Sequence, residues 1–150
     1  RMRAYPRRSI YLHITQYVDD QVRGTIPFTA AVQVYYAFDE ALNELMEEGV
    51  AKRIQRYKKV ATLIRDRMTK LGVKSLLTPD KLSNTITAYH LPEGVTYQSL
   101  HDQLKKEGYV IYAGQGQLQS QIFRVANMGA LTEAQLVGFL DAFERICGTA

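Results

Sequence analysis

The sequence predicts an α+β fold: a small antiparallel or mixed sheet with helices packed on one face, preceded by two long amphipathic helices. Two observations carry that prediction. Apolar residues recur at three- and four-residue spacing from Ala31 to Leu71, which is a helical period. From Asn84 onward, short β-branched runs alternate with capped helical stretches and glycine turns, in the order strand, helix, strand, strand, helix.

The first element is a weak helix carrying Ile14, Tyr17, Val18 and Gln21 and stopping at Gly24. Residues 25–29 form an extended turn, because Pro27 drives Ile26 out of helical angles. A strong helix follows, its stripe made by Ala31, Val34, Tyr35, Phe38, Leu42 and Leu45, with Gly49 as a left-handed stop. The next helix sets Val50, Ile54, Tyr57, Val60, Ala61, Ile64, Met68 and Leu71 on one stripe and ends at Gly72. Its other face (Lys52, Arg53, Arg56, Lys58, Lys59, Arg65, Arg67) reads as a solvated basic surface. These two helices pack beside the sheet or link it to something larger.

Residues 84–91 read as a strand, followed by the turn Pro92-Glu93-Gly94. Thr96 caps a short helix, with Val95 and Leu100 placed as a hydrophobic staple and Gly108 as its stop. Residues 109–113 and 121–126 are two further strands joined as a hairpin through Gly114-Gln115-Gly116. Thr132 and Gln135 form a capping box, with Leu131 and Leu136 as its staple, at the head of a last helix that turns Leu136, Phe139, Leu140, Phe143 and Ile146 inward. The organisation expected is a segment 1–28 with a short helix, linking helices over 29–72, and an α+β domain over 73–150.

Composition narrows the function. At 150 residues, with 46% hydrophobic and 23% charged, the chain has the content of an ordinary folded domain and not of a disordered one. No apolar run approaches the roughly 20 residues of a membrane helix, so no membrane partner is expected. The single cysteine, Cys147, excludes an internal disulfide and fits a reducing, cytoplasmic setting. The net charge of +4 comes from Arg1, Arg3, Arg7 and Arg8, in a stretch that holds no acid. Without those four the chain is neutral, so it lacks the folded basic face of a nucleic-acid reader. It opens Arg1-Met2-Arg3 with no apolar leader, and it is expected to start partway through a longer protein.

Few residues are placed for chemistry. Arg124 sits in a strand between Phe123 and Val125, which point to the opposite face. A cation so placed needs a partner, either a structural ion pair or a ligand carboxylate or phosphate held by both guanidinium nitrogens. Gly114-Gln115-Gly116 lets backbone approach a ligand, although it lacks the full phosphate-loop fingerprint. His13, His90 and His101 lack metal-ligand spacing, so no metal is expected, and Cys147 reads as a buried, inert thiol. The residues themselves suggest an anion clamp without catalytic apparatus.

Several runs resemble the class V aminotransferases, a fold-type I family dependent on pyridoxal phosphate. They are residues 27–33, 37–42 and 47–50, Ser83-Asn84-Thr85 at the head of a strand, and above all 108–116 with 122–129. The likeness runs from about Ile10 to the end. It implies a homodimer with a large and a small domain, which moves an amino group from an aminophosphonate or amino acid to a 2-oxo acid such as pyruvate. It implies that Arg124 binds the substrate carboxylate, that Gly114 and Gln115 line the substrate mouth, and that Thr29 lies near the cofactor phosphate of the neighbouring subunit, at a helix N-terminus that favours an anion. A plain helix cap is the other role open to Thr29. The glyoxylate-using branch places a tyrosine three residues before that threonine. Ile26 stands there instead, which favours the phosphonate branch. The family's cofactor lysine and its cofactor-pairing aspartate lie upstream of the region matched. The resemblance therefore implies a C-terminal portion, inactive alone. A stand-alone ferredoxin-like binding or regulatory module and a pure dimerisation piece are the alternative readings.

Overall fold

Helix α1 (Ile14–Val22) and helix α2 (Val32–Glu48) appear where the apolar period sets them. In the computed structural model, which describes residues 2–148, they belong, but for Glu48 at the end of α2, to the first of two units, Arg1–Glu47 and Glu48–Ala150. Arg1 of the basic start lies outside the described residues. The first unit is organised around aromatic rings. Phe28 stacks on Tyr11 with ring centroids 4.4 Å apart, and Tyr17 tilts against the same ring at 6.0 Å. The Asp20 carbonyl accepts the Thr25 N–H at 2.8 Å, which turns the chain out of α1. The stripe of α2 has the predicted spacing but not the predicted burial. No residue of α2 is buried, and Val34, Tyr35 and Phe38 are each more than 60% exposed. Periodicity reports which residues share a face; burial needs a second surface against that face.

The second unit holds α3 (Val50–Lys70), β1 (Ile86–His90), α4 (Tyr97–Lys106), β2 (Tyr112–Ala113), β3 (Ile122–Ala126) and α5 (Glu133–Gly148). Gly49 and Gly72 bracket α3 with φ of +84° and +76°, values that β-carbon-bearing residues rarely take. The stripe of α3 is buried only in its C-terminal half, through Ala61, Ile64 and Met68, while Val50 and Ile54 stay exposed.

The sheet has the order β1-β3-β2, and both pairings are antiparallel. Its core face carries Thr87, Tyr89, Phe123 and Val125, all buried. The rings of Tyr89, Phe123 and Phe143 stack in series at 5.5 Å per step, and Met68, Leu100, Leu104 and Leu140 close around them. An α+β layer with helices α3, α4 and α5 contributing to one core is the result.

The N-terminal caps form as the sequence sets them. The Thr96 hydroxyl accepts the Ser99 N–H at 3.2 Å. At α5, Gln135 accepts the Thr132 N–H at 2.9 Å and the Thr132 hydroxyl accepts the Gln135 N–H at 3.3 Å.

Two expectations need correction. The strand expected over 109–113 pairs only at Tyr112 and Ala113. The Tyr109 N–H goes instead to the Leu104 carbonyl at 2.9 Å and its ring packs edge-on to Phe139, which draws the chain away from β3. The basic face of α3 is not simply solvated either. Its lysines are exposed, but its arginines join elements: Arg65 donates to the Ser83 carbonyl and the Thr87 hydroxyl, and Arg67 donates to Asp141 and Glu144 of α5 at 2.7 Å each. A planar guanidinium offers several donors at fixed angles, so it can tie two elements where an ammonium cannot. Among the described residues no helix is long and apolar enough to cross a membrane, and no cluster of three or more His, Cys, Asp or Glu side chains is placed to hold a metal.

Candidate functional site

Strand alternation puts Arg124 on the face of the sheet opposite the core. Phe123 and Val125 are buried on one side, and Arg124 is half-buried on the other. It stands on the central strand, directly opposite Ala88 on β1 and Tyr112 on β2. Its Nε donates to the carbonyl of Ala113 at 2.9 Å, which leans the guanidinium toward β2 and fixes its plane. No carboxylate lies within ion-pair distance of it among the described residues, so both terminal nitrogens keep their donors. Of the two readings open to this residue, the structural ion pair is not formed. What stands there is a pre-oriented, two-nitrogen donor.

Gly114 and Gln115 follow the carbonyl that holds Arg124. The Gly114 N–H closes the hairpin onto the Ile122 carbonyl at 3.1 Å. A β-carbon on Gly114 would overlap the Leu118 carbonyl and come within 2.7 Å of the Ile122 side chain. The small residue is therefore needed for the loop to fold back on itself, a reason other than the open approach to a ligand read from the sequence. Gln115 is exposed, and its backbone carbonyl accepts the Leu118 N–H at 3.1 Å.

Thr29 belongs to the first unit. It is exposed and lines an open cavity of about 290 Å³ with Tyr11, Tyr17, Phe28, Ala31 and Tyr35. It is not the cap of α2. The helix begins at Val32, and the Ala31 carbonyl accepts the Tyr35 N–H at 3.2 Å, two residues past Thr29. Its hydroxyl makes no hydrogen bond to another described residue.

The remaining candidates are quiet. All the lysines (Lys52, Lys58, Lys59, Lys70, Lys74, Lys81, Lys105 and Lys106) are exposed. His101 contacts the neighbouring Asp102 at 2.9 Å and His13 contacts Thr15 at 2.7 Å. Cys147 is half-buried, and desolvation pushes its thiol up to about 11.

The matched runs 83–85 and 122–129 prove to be spatial neighbours. Asn127, buried, donates through its side chain to the Asn84 carbonyl and through its backbone to the Thr85 carbonyl, each at 2.9 Å. Strand register, which cannot be read from the runs alone, makes Ala88 and Tyr112 the cross-strand neighbours of Arg124.

No family model matches the chain. The 2-aminoethylphosphonate–pyruvate transaminase of Salmonella schwarzengrund is 38% identical over 122 residues, which is 79% of this chain and 33% of that protein. The chain thus spans about a third of the length of such curated relatives. Among solved structures, an aspartate aminotransferase of subgroup IV from Thermus thermophilus superposes with a TM-score of 0.78 at 26% identity, covering 97% of this chain and 40% of that one. A ureidoglycine–glyoxylate aminotransferase from Bacillus subtilis superposes with a TM-score of 0.85 at 22% identity, over 96% of this chain and 38% of its own, and so shows a shared fold.

Proposed function

We propose that this chain, similar to aminotransferases of the class V, fold-type I group along nearly its whole length, is the C-terminal portion of such an enzyme and supplies the arginine that holds the substrate carboxylate. The observation that carries the reading is the state of Arg124: half-buried, oriented by one backbone carbonyl, and lacking a carboxylate partner among the described residues. An arginine kept part-dry and unpaired is costly unless a ligand completes it.

In the whole protein the reaction is transamination, with 2-aminoethylphosphonate as amino donor and pyruvate as acceptor. Arg124 binds the carboxylate of the 2-oxo acid through its two terminal nitrogens and sets the direction from which the acid enters. Gln115, exposed at the hairpin, offers an amide to the polar end of the substrate, and Gly114 keeps the hairpin closed behind it. Pyridoxal phosphate, when bound, supplies the electron sink that amino transfer requires. The residues of this chain fit that group only in part. The Thr29 hydroxyl is exposed, unbonded and beside a cavity, as a phosphate ligand of a neighbouring subunit in a homodimer must be. Every lysine is exposed, so none is placed as the cofactor amine. The 150 residues alone are therefore expected to be inactive.

The test is Arg124→Ala in the complete protein. Loss of a two-point, charge-assisted contact costs on the order of 2–4 kcal/mol, so the KM for pyruvate should rise roughly 30-fold or more. Arg124→Lys should recover only part of it, because an ammonium cannot bond both oxygens in one plane. An unchanged KM removes Arg124 from the site.

A further inference from the structure

A single peptide group joins Arg124 to the hairpin turn. The Ala113 carbonyl accepts the Nε–H of Arg124 at 2.9 Å, and the Gly114 N–H, in the same peptide plane, donates to the Ile122 carbonyl at 3.1 Å. The peptide bond between them is trans, so the two groups point opposite ways and the plane is held at both ends. It cannot turn without giving up either the hold on Arg124 or the closure of the hairpin.

Gly114 sets where that plane lies. Its φ is outside the left-handed region that calls for glycine; what the position refuses is a β-carbon. Placed on Gly114, that atom overlaps the Leu118 carbonyl oxygen and stands 2.6 Å from the Leu118 carbonyl carbon and 2.7 Å from Cγ1 of Ile122. Neither obstacle is free to yield. The Leu118 carbonyl accepts the Gln121 N–H at 3.1 Å, the Leu118 N–H donates to the Gln115 carbonyl at 3.1 Å, and Ile122 is buried. A side chain at 114 therefore displaces residue 114 itself, and the Ala113 carbonyl moves with it. A hydrogen bond weakens steeply once its angle leaves the favoured range, so this displacement releases the Nε–H.

We infer that Gly114 is a positioning residue for Arg124: the missing β-carbon keeps the Ala113 carbonyl on Nε and so holds the guanidinium plane in the direction from which it meets a substrate carboxylate. The inference rests on the reading of Arg124 as a carboxylate clamp. Two-point pairing needs the guanidinium and the carboxylate in one plane. With Nε released, the side chain regains rotamers that it must lose again on binding, and affinity falls although both terminal nitrogens are still present.

The experiment uses the complete protein, with Gly114→Ala made both in the parent and in Arg124→Ala. In the parent it is expected to raise the KM for pyruvate about threefold to tenfold, the worth of one oriented hydrogen bond. In Arg124→Ala, which has no Nε, the same change is expected to move the KM by less than about twofold, whereas a general disturbance of the fold acts alike in both backgrounds. The second readout is proton exchange at the Nε–H of Arg124, followed by NMR without ligand and assigned by the loss of its signal in Arg124→Ala. Exchange is expected to be several-fold slower than in free arginine in the parent, and to return toward the free rate in Gly114→Ala. Thermal melting checks folding; if Gly114→Ala is not folded, exchange in the parent decides, and a free rate there overturns the inference. If Arg124→Ala leaves the KM unchanged, the clamp reading fails and the positioning role fails with it. If Arg124→Ala raises the KM while folded Gly114→Ala leaves it unmoved, or raises it equally in both backgrounds, the positioning role is overturned and the clamp stands.

Discussion

The guanidinium of Arg56 grips the carboxylate of Glu48 at both ends, Nε to Oε1 at 2.6 Å and Nη2 to Oε2 at 2.9 Å. Its third nitrogen donates to the Gly129 carbonyl at 2.8 Å, while the hydroxyl of Tyr57 accepts the Gly129 N–H at 3.2 Å. Arg53 donates to the same carboxylate. This knot holds the loop that follows β3, five residues beyond Arg124, against α3.

The knot makes stability depend on pH with a definite sign. Arg56 first, then Arg53, hold the Glu48 carboxyl down from 4.5 to about 2. A carboxyl lowered on folding contributes stability that is complete above its unfolded value and is lost as pH falls through the folded one. Glu48→Gln is therefore expected to melt below the parent at pH 7. The gap should close between about pH 4.5 and pH 2 and vanish below that. A gap that stays constant from pH 7 to pH 2 means that the carboxylate is not the group responsible.

Gly114→Ala should be destabilising by about 1–3 kcal/mol, because the added carbon overlaps a backbone carbonyl that cannot turn aside. Gly138→Ala meets only the hydroxyl end of Tyr109, the tip of a side chain and not backbone, and should cost less. Denaturant midpoints of the two variants compare them directly, and equal losses would count against the close-packed hairpin.

Phe143 is completely buried between Phe123 and Phe139, so Phe143→Ala should cost on the order of 3–5 kcal/mol. Phe38→Ala, on the exposed stripe of α2, should change the stability of the 150-residue chain by less than about 0.5 kcal/mol. Urea unfolding monitored by circular dichroism measures both.

Half-burial pushes the Cys147 thiol up to about 11, so little of it is thiolate at pH 8. Reaction with a disulfide reagent should be slow in the folded protein and fast in 6 M guanidinium, by at least tenfold given the roughly two-unit fall toward the ordinary value. Equal rates would show the thiol to be open to solvent.

Much of this was legible without coordinates. The caps at Thr96 and Thr132 depend on residues three positions apart, and those interactions are written locally. So was the placing of Arg124 on the face away from Phe123 and Val125, since alternation along a strand needs no partner strand. The shortening of the strand at 109–113 was not legible: Tyr109 is a good strand residue by type, and besides its local bond to the Leu104 carbonyl it is drawn off by Phe139, which is distant in the chain. Nor were the links made by Arg65 and Arg67, because a basic helical face looks the same whether its partners are waters or carboxylates.

The sequence by itself determined where helices start and stop, which residues share a face, and that one cation stands alone on a strand. Those are properties of chain geometry within a few residues. The tertiary structure decided what that cation meets: Ala113 at its Nε, Tyr112 on one flank and Ala88 on the other. Strand register is a long-range choice, made by burying Tyr89, Phe123 and Phe143 together, and a single-residue slip would have turned Arg124 into the core.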